Sequence, residues 1–173
     1  MTTIAKSISS IAAALIFGAG LAQDAPVRPV APKEHPKDVL EVIAARPDLS
    51  LFAEAIKASG VESTLRRSGS WTVMAPTNDA FRALPEGTMT ELSKPENRGA
   101  LTDLVEYHII RGKMPTSEIG TSEFVTLQGS PIVLKKAAGA VWVGRGEVLV
   151  GDLEGTNGVV HVINMVLESN GGE

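Results

Sequence analysis

The run VVHVINMVL, Val159 to Leu167, constrains this chain more than any other segment. Branched side chains dominate it, and they favour an extended backbone. Side chains alternate across a strand. Val159, Ile163 and Met165 therefore share one face, and Val160, Val162 and Val166 share the other. Both faces are apolar, so the run is expected to be a central strand buried from both sides. His161 sits mid-strand beside Val159 and Ile163, where a buried structural histidine is expected rather than a ligand. Asn157-Gly158, just before the run, is a tight-turn signal.

The elements that must cover this strand are legible upstream. Lys37 to Arg46 reads as a helix closed by Pro47, and Asp48 or Ser50 is placed to cap the next one. Leu49, Phe52 and Ile56 recur at helical spacing, and Gly60 supplies a left-handed stop. Glu62 to Arg67 reads as a short third helix. Trp71 to Ala75 reads as a strand that ends at Pro76, which cannot donate to a ladder. Thr77 or Asn78 then caps a short helix whose Phe81 and Leu84 point back into the core. Glu86 to Leu92 and Lys94 to about His108 read as two more helices. Leu101, Leu104, Val105 and His108 share one face of the longer one. From Ser122 onward the pattern changes to short strands, Phe124–Leu127, Ile132–Leu134, Val141–Val143 and Glu147–Val150, separated by glycine turns. Helices first and strands afterwards imply an α+β domain.

The N-terminus reads differently. Lys6, an apolar stretch from Ile8 to Phe17 and the small residues around Gly20-Leu21-Ala22 form the pattern of a secretory signal peptide over residues 1–22. The apolar stretch is short of the ~20 residues that a spanning helix needs. Residues 23–36 carry Pro26, Pro29, Pro32 and Pro36 and read as an extended tail. Residues 37–168 form the expected domain and 169–173 a C-terminal tail. Such a chain is expected to be exported, to the periplasm or to the outside of the cell, without an integral membrane segment after cleavage. Loss of Lys6 takes the formal charge from −4 to −5. That mild, dispersed excess argues against nucleic acid as a partner. There is no cysteine, so the domain must stand on its core alone.

Catalytic signatures are missing. There is no G-x-S-x-G segment, no P-loop, no G-x-G-x-x-G and no EF-hand loop. The histidines His35, His108 and His161 are far apart in sequence, and no spacing singles out a carboxylate pair. Neither an enzyme nor a cofactor is implied.

Three blocks in order, TVMAPTNDAF (Thr72–Phe81), LVEYHII (Leu104–Ile110) and NGVVHVINMVL (Asn157–Leu167), resemble the fasciclin (FAS1) domain over about Lys37 to Leu167. Met74 stands where that family usually has phenylalanine and Asn164 where aspartate is common. The resemblance implies a wedge of two small sheets with helices packed around it. It also implies noncovalent adhesion to a cell-surface or matrix component, protein or glycan. In animal relatives the Tyr-His block has been implicated in binding, and its counterparts here are Tyr107 and His108, with Leu104 and Ile110 as apolar neighbours. Some photosynthetic members bind carotenoids, so carriage of a small apolar ligand is the alternative. A structural part in an envelope or biofilm matrix is a third reading. His108 is either a binding residue or a core histidine; its apolar-face position favours the core, with Thr77 or Asp79 as its expected partner. The polar corner Thr77-Asn78-Asp79 is then a structural joint rather than an active site. The oligomeric state is not legible.

Overall fold

The computed structural model describes residues 37–67 and 69–168. The predicted signal segment, the proline-rich tail and residues 169–173 lie outside the described residues. Among the described residues there are six α-helices: α1 (Val39–Ala44), α2 (Ser50–Ser59), α3 (Glu62–Leu65), α4 (Asn78–Arg82), α5 (Thr88–Leu92) and α6 (Arg98–Tyr107). Seven strands accompany them: β1 (Trp71–Pro76), β2 (Ile109–Arg111), β3 (Ser122–Val125), β4 (Pro131–Ala137), β5 (Ala140–Val143), β6 (Gly146–Gly155) and β7 (Gly158–Ile163).

The strands follow the order β2-β1-β7-β6-β5-β4-β3. β7 runs parallel to β1, from Trp71↔Gly158 to Pro76↔Ile163, and antiparallel to β6. The ten-residue β6 is shared between the two halves of the wedge. Its start pairs with β5 through Trp142↔Glu147, and from Val148 onward it pairs with β7. Register shifts between Val148 and Leu153 bend it, as bulges do. The outermost strands then meet through the Ile110↔Thr126 bridge and a hydrogen bond from Leu127 N to Ile109 O at 2.7 Å.

This curl buries β1 and β7 on both faces. Trp71, Val73, Ala75, Val160 and Val162 pack with Phe52, Ile56, Phe81, Leu101 and Val105 of the helices. Met74 and Ile163 face the other way, onto Ile132, Leu134, Val141 and Val143 of the second half-sheet. The central-strand expectation for β7 holds, with one correction. Its pairing ends at Ile163, and Met165 is exposed. Asn164 turns the chain there: its amide donates to Glu147 O at 3.1 Å, and its side-chain oxygen accepts from Glu147 N at 2.8 Å.

Local signals explain several boundaries. Asp38 caps α1 in a reciprocal capping box with Glu41. Gly60 closes α2 at φ 82°. Thr77 caps α4 by accepting from Ala80 N at 3.2 Å. Neither Asp48 nor Ser50 caps α2, a correction to the local expectation. Pro47–Leu49 forms a 3-10 turn, Asp48 pairs with Arg46, and the amide of Leu51 donates to Asn78 Oδ1 at 3.0 Å. β2 begins directly after α6 and had no strand signal of its own.

The β1–β7 seam depends on a missing side chain. A β-carbon on Gly158 would lie 2.0 Å from Trp71 O. Gly99, on the exposed start of α6, has nothing within 4 Å of its would-be β-carbon. Gly158→Ala is expected to cost at least ~3 kcal/mol, because the ladder must part to relieve the clash. Gly99→Ala is expected to leave stability unchanged or raise it by up to ~1 kcal/mol. Urea unfolding of both variants, with m-values compared, checks the contrast.

Candidate functional site

α6 ends in the Tyr-His block, and the two side chains diverge. Tyr107 is half-buried at the surface, and its hydroxyl donates to Pro131 O at 3.3 Å. It lines a groove of about 290 Å³ with Pro131, Val133, Gly144 and Arg145 on the sheet side. Met165, Val166, Leu167 and Glu168 form the C-terminal wall of the same groove. Burial raises the Tyr107 hydroxyl above its ordinary pKa, which keeps it a neutral donor.

His108 is fully buried at the C-cap of α6, with its ring 5.6 Å from that of Phe52. Leu167 N donates to its Nε2 at 2.9 Å. Nδ1 therefore carries the proton and donates to Leu104 O at 2.8 Å. Both bonds go to backbone. The expected tie to Thr77 or Asp79 is not formed: Thr77 caps its own helix, and Asp79 pairs with Arg82. Asn78 gives the corner its long-range side-chain bonds, donating from Nδ2 to Pro47 O at 2.9 Å and accepting from Leu51 N. A polar corner thus docks the start of α2, while His108 anchors the far wall of the Tyr107 groove.

His161 is the mirror case. Asp152 N donates to its Nδ1 at 3.1 Å, so Nε2 holds the proton and donates to Met114 O at 2.8 Å. Asp152 adopts φ 58°, a left-handed conformation that aspartate tolerates better than most residues. Its carboxylate accepts from the Thr116 amide at 2.7 Å and from the Thr116 hydroxyl. Burial opposes the charge on Asp152, but the Thr116 bonds outweigh it and hold the carboxyl below its usual range. These groups pin the 112–117 loop onto β6.

Of the other expected neighbours, Leu104 packs on the helical core and Ile110 is buried on β2. Neither lines the groove. Val133 and Met165 supply its apolar walls instead, and sequence reasoning did not single them out as site residues. The alternation of β4 was a usable signal for Val133. Met165 had none, because the apolar run hides the turn at Asn164. Among the described residues no group of three or more His, Asp or Glu could hold a metal ion, and no helix is long and apolar enough to cross a membrane.

Burial pushes the His108 imidazole down to about 4 and the His161 imidazole in the same direction. The unfolded chain therefore binds protons that the folded one refuses. For His108 the stabilising effect is complete above about pH 6.5 and is lost as pH falls toward about 4, and His161 acts in the same direction. For His108 the loss is on the order of 3 kcal/mol across that window. Unfolding of wild type and His108→Gln should show the gap between them shrinking from pH 7 to pH 4, because the amide does not titrate. Asn78→Ala is expected to cost about 1–2 kcal/mol at every pH in the window, since it removes the cap on α2.

The pattern of the family described as the fasciclin domain matches residues 47–169. The chain is 37% identical over 129 residues to protein sll1483 of a Synechocystis species, covering 75% of this chain and 72% of that protein. It is 32% identical over 178 residues to immunogenic protein MPB70 of Mycobacterium bovis, covering 96% of this chain and 90% of that one. Human periostin is 34% identical over 131 residues, but the match spans 15% of its length and 75% of this chain. Among solved structures, a FAS1 domain pair from the insect cell adhesion molecule fasciclin I superposes with a TM-score of 0.59 at 20% identity. That match covers 76% of this chain and 51% of the insect chain, and it shows a shared fold. The chain therefore belongs to the fasciclin domain family.

Proposed function

We propose that this protein is an exported adhesion module that binds a cell-surface or matrix component, protein or glycan, without covalent chemistry. The Tyr107 groove is the contact site. The observation that carries this reading is the division of labour in the Tyr-His block. Tyr107 presents an amphipathic ring to an open groove, while His108 fixes the opposite wall through Leu167. An aromatic side chain with few rotamers, set among Val133 and Met165, is the usual anatomy of a binding hot spot. Family membership supports the reading, as does the adhesion role named for the insect structure. The signal-like N-terminal sequence supports export to the periplasm or to the outer surface.

Carriage of a small apolar ligand finds less support. The groove, at about 290 Å³, is at the lower edge of the ~300–1,000 Å³ typical of ligand pockets. It is also open along one side.

The test is a titration of labelled protein onto intact cells of the organism that makes it, with unlabelled protein as competitor. Saturable, competable binding is expected. Tyr107→Ala should weaken it about tenfold or more, as truncation of an aromatic anchor does, in a variant that still folds. Binding no greater than that of a control protein removes the adhesion reading. Unchanged binding by a folded Tyr107→Ala removes the groove.

A further inference from the structure

The C-terminal wall of the Tyr107 groove hangs on very little backbone. β7 stops pairing at Ile163, and Asn164 is tied to Glu147. Beyond that turn the chain joins no strand or helix through residue 168. Among the described residues, the backbone of 165–168 makes one hydrogen bond, from Leu167 N to His108 Nε2 at 2.9 Å. Val166 and Leu167 are buried, one against the helical core and one against the second half-sheet. Met165 and Glu168 are exposed.

The single bond has a fixed polarity. Leu167 N can only donate, so Nε2 must offer a lone pair, while the proton on Nδ1 goes to Leu104 O. A second proton on the ring would set N–H against N–H. The elements around the ring offer that charge nothing in return. α2 brings Phe52, α6 brings the Leu104 carbonyl, and β1 touches His108 through Met74 N and carries no titratable side chain. Glu54 on α2, Glu106 and Tyr107 on α6 and Glu168 on the wall are the titratable groups beside it in sequence or packing, and none of them shifts its titration. Burial dominates, opposed by the Leu104 carbonyl. An imidazolium fits here only if the wall moves off and admits water.

We propose that His108 is an acid-operated latch on the Tyr107 groove. A second proton on the ring expels the Leu167 amide, residues 165–168 leave the end of α6, and the groove loses its Met165–Leu167 wall. The β1–β7 ladder stays closed, because it ends before this segment begins. Loss of the proton restores the lone pair and the wall returns. The closed ring titrates at about 4 and a released one at its ordinary 6.5. The ratio of open to closed wall therefore rises about a hundredfold from pH 7 to pH 4. The consequence, reversible release of the bound surface in acid, rests on the reading of the groove as the contact site.

Amide hydrogen exchange of the whole isotope-labelled protein, followed by NMR from about pH 7 to pH 4, tests the latch independently of cell binding. Leu167 N is expected to be less protected than the β7 amides throughout. Its protection, corrected for the intrinsic rate, should fall about a hundredfold across that range. In His108→Gln, whose side-chain oxygen accepts but does not titrate, the fall should shrink to less than about threefold. Leu167 that opens only together with β7 overturns the proposal, and so does protection that ignores pH. Both of those results come from wild type alone, so they stand even where His108→Gln fails to fold. The titration onto cells, repeated at about pH 4, should show wild type released and a folded His108→Gln retained. Wild type that stays bound in acid while Leu167 opens also overturns the proposal. Absent binding at neutral pH removes the contact-site reading instead, and hydrogen exchange then decides the latch alone.

Discussion

The fold depends on the burial of β7 from both sides. A strand of valine and isoleucine has no solvent face to spare, so two separate layers must close on it. The helices close one side and the curled half-sheet β3–β5 closes the other. β6 makes this possible by serving both halves, and its register shifts let it turn from one to the other. The parallel pairing of β1 with β7 joins strands far apart in sequence. Its hydrogen bonds run so close at Gly158 that no side chain fits.

Two buried histidines tie irregular chain to this regular frame. Each uses both ring nitrogens, one as donor and one as acceptor, and each bonds only backbone groups. Neutral imidazole suits this task because it offers both roles at opposite ends of a rigid ring. His108 holds the segment after β7, and His161 holds the loop before β3. The tautomers are opposite, each set by the backbone amide that the ring accepts from. The Tyr-His block thus makes physical sense as a pair. The tyrosine is the exposed half, and the histidine fixes the wall the tyrosine faces.

Sequence patterns reveal what depends on burial and local backbone preference. β7 is legible from branched residues on both faces, the stop at Gly60 from glycine, and the α4 corner from its polar run. The three-residue β2 is hidden because Ile109 continues the apolar face of α6. The α2 cap is hidden because its acceptor, Asn78, lies 27 positions away from Leu51. The partner of His108 could not be read from side-chain types, because it is a backbone amide 59 positions away. The groove is hard to foresee for the same reason. Tyr107 is visible in its motif, but Val133 and Met165 reach it only through the curl of the sheet and the turn at Asn164.

The curl also decides how such a domain can meet other molecules. A sheet with free edges invites strand addition, and edges are where unwanted association begins. Here the outermost strands meet at one bridge, Ile110↔Thr126, and one further hydrogen bond, Leu127 N to Ile109 O, which shortens the free edge. The helical side presents charged and polar residues, and the large apolar exposure is confined to the β3–β7 half. Val133 and Met165 carry part of that exposure and also line the Tyr107 groove, so the apolar surface that the fold leaves open continues into its candidate contact site.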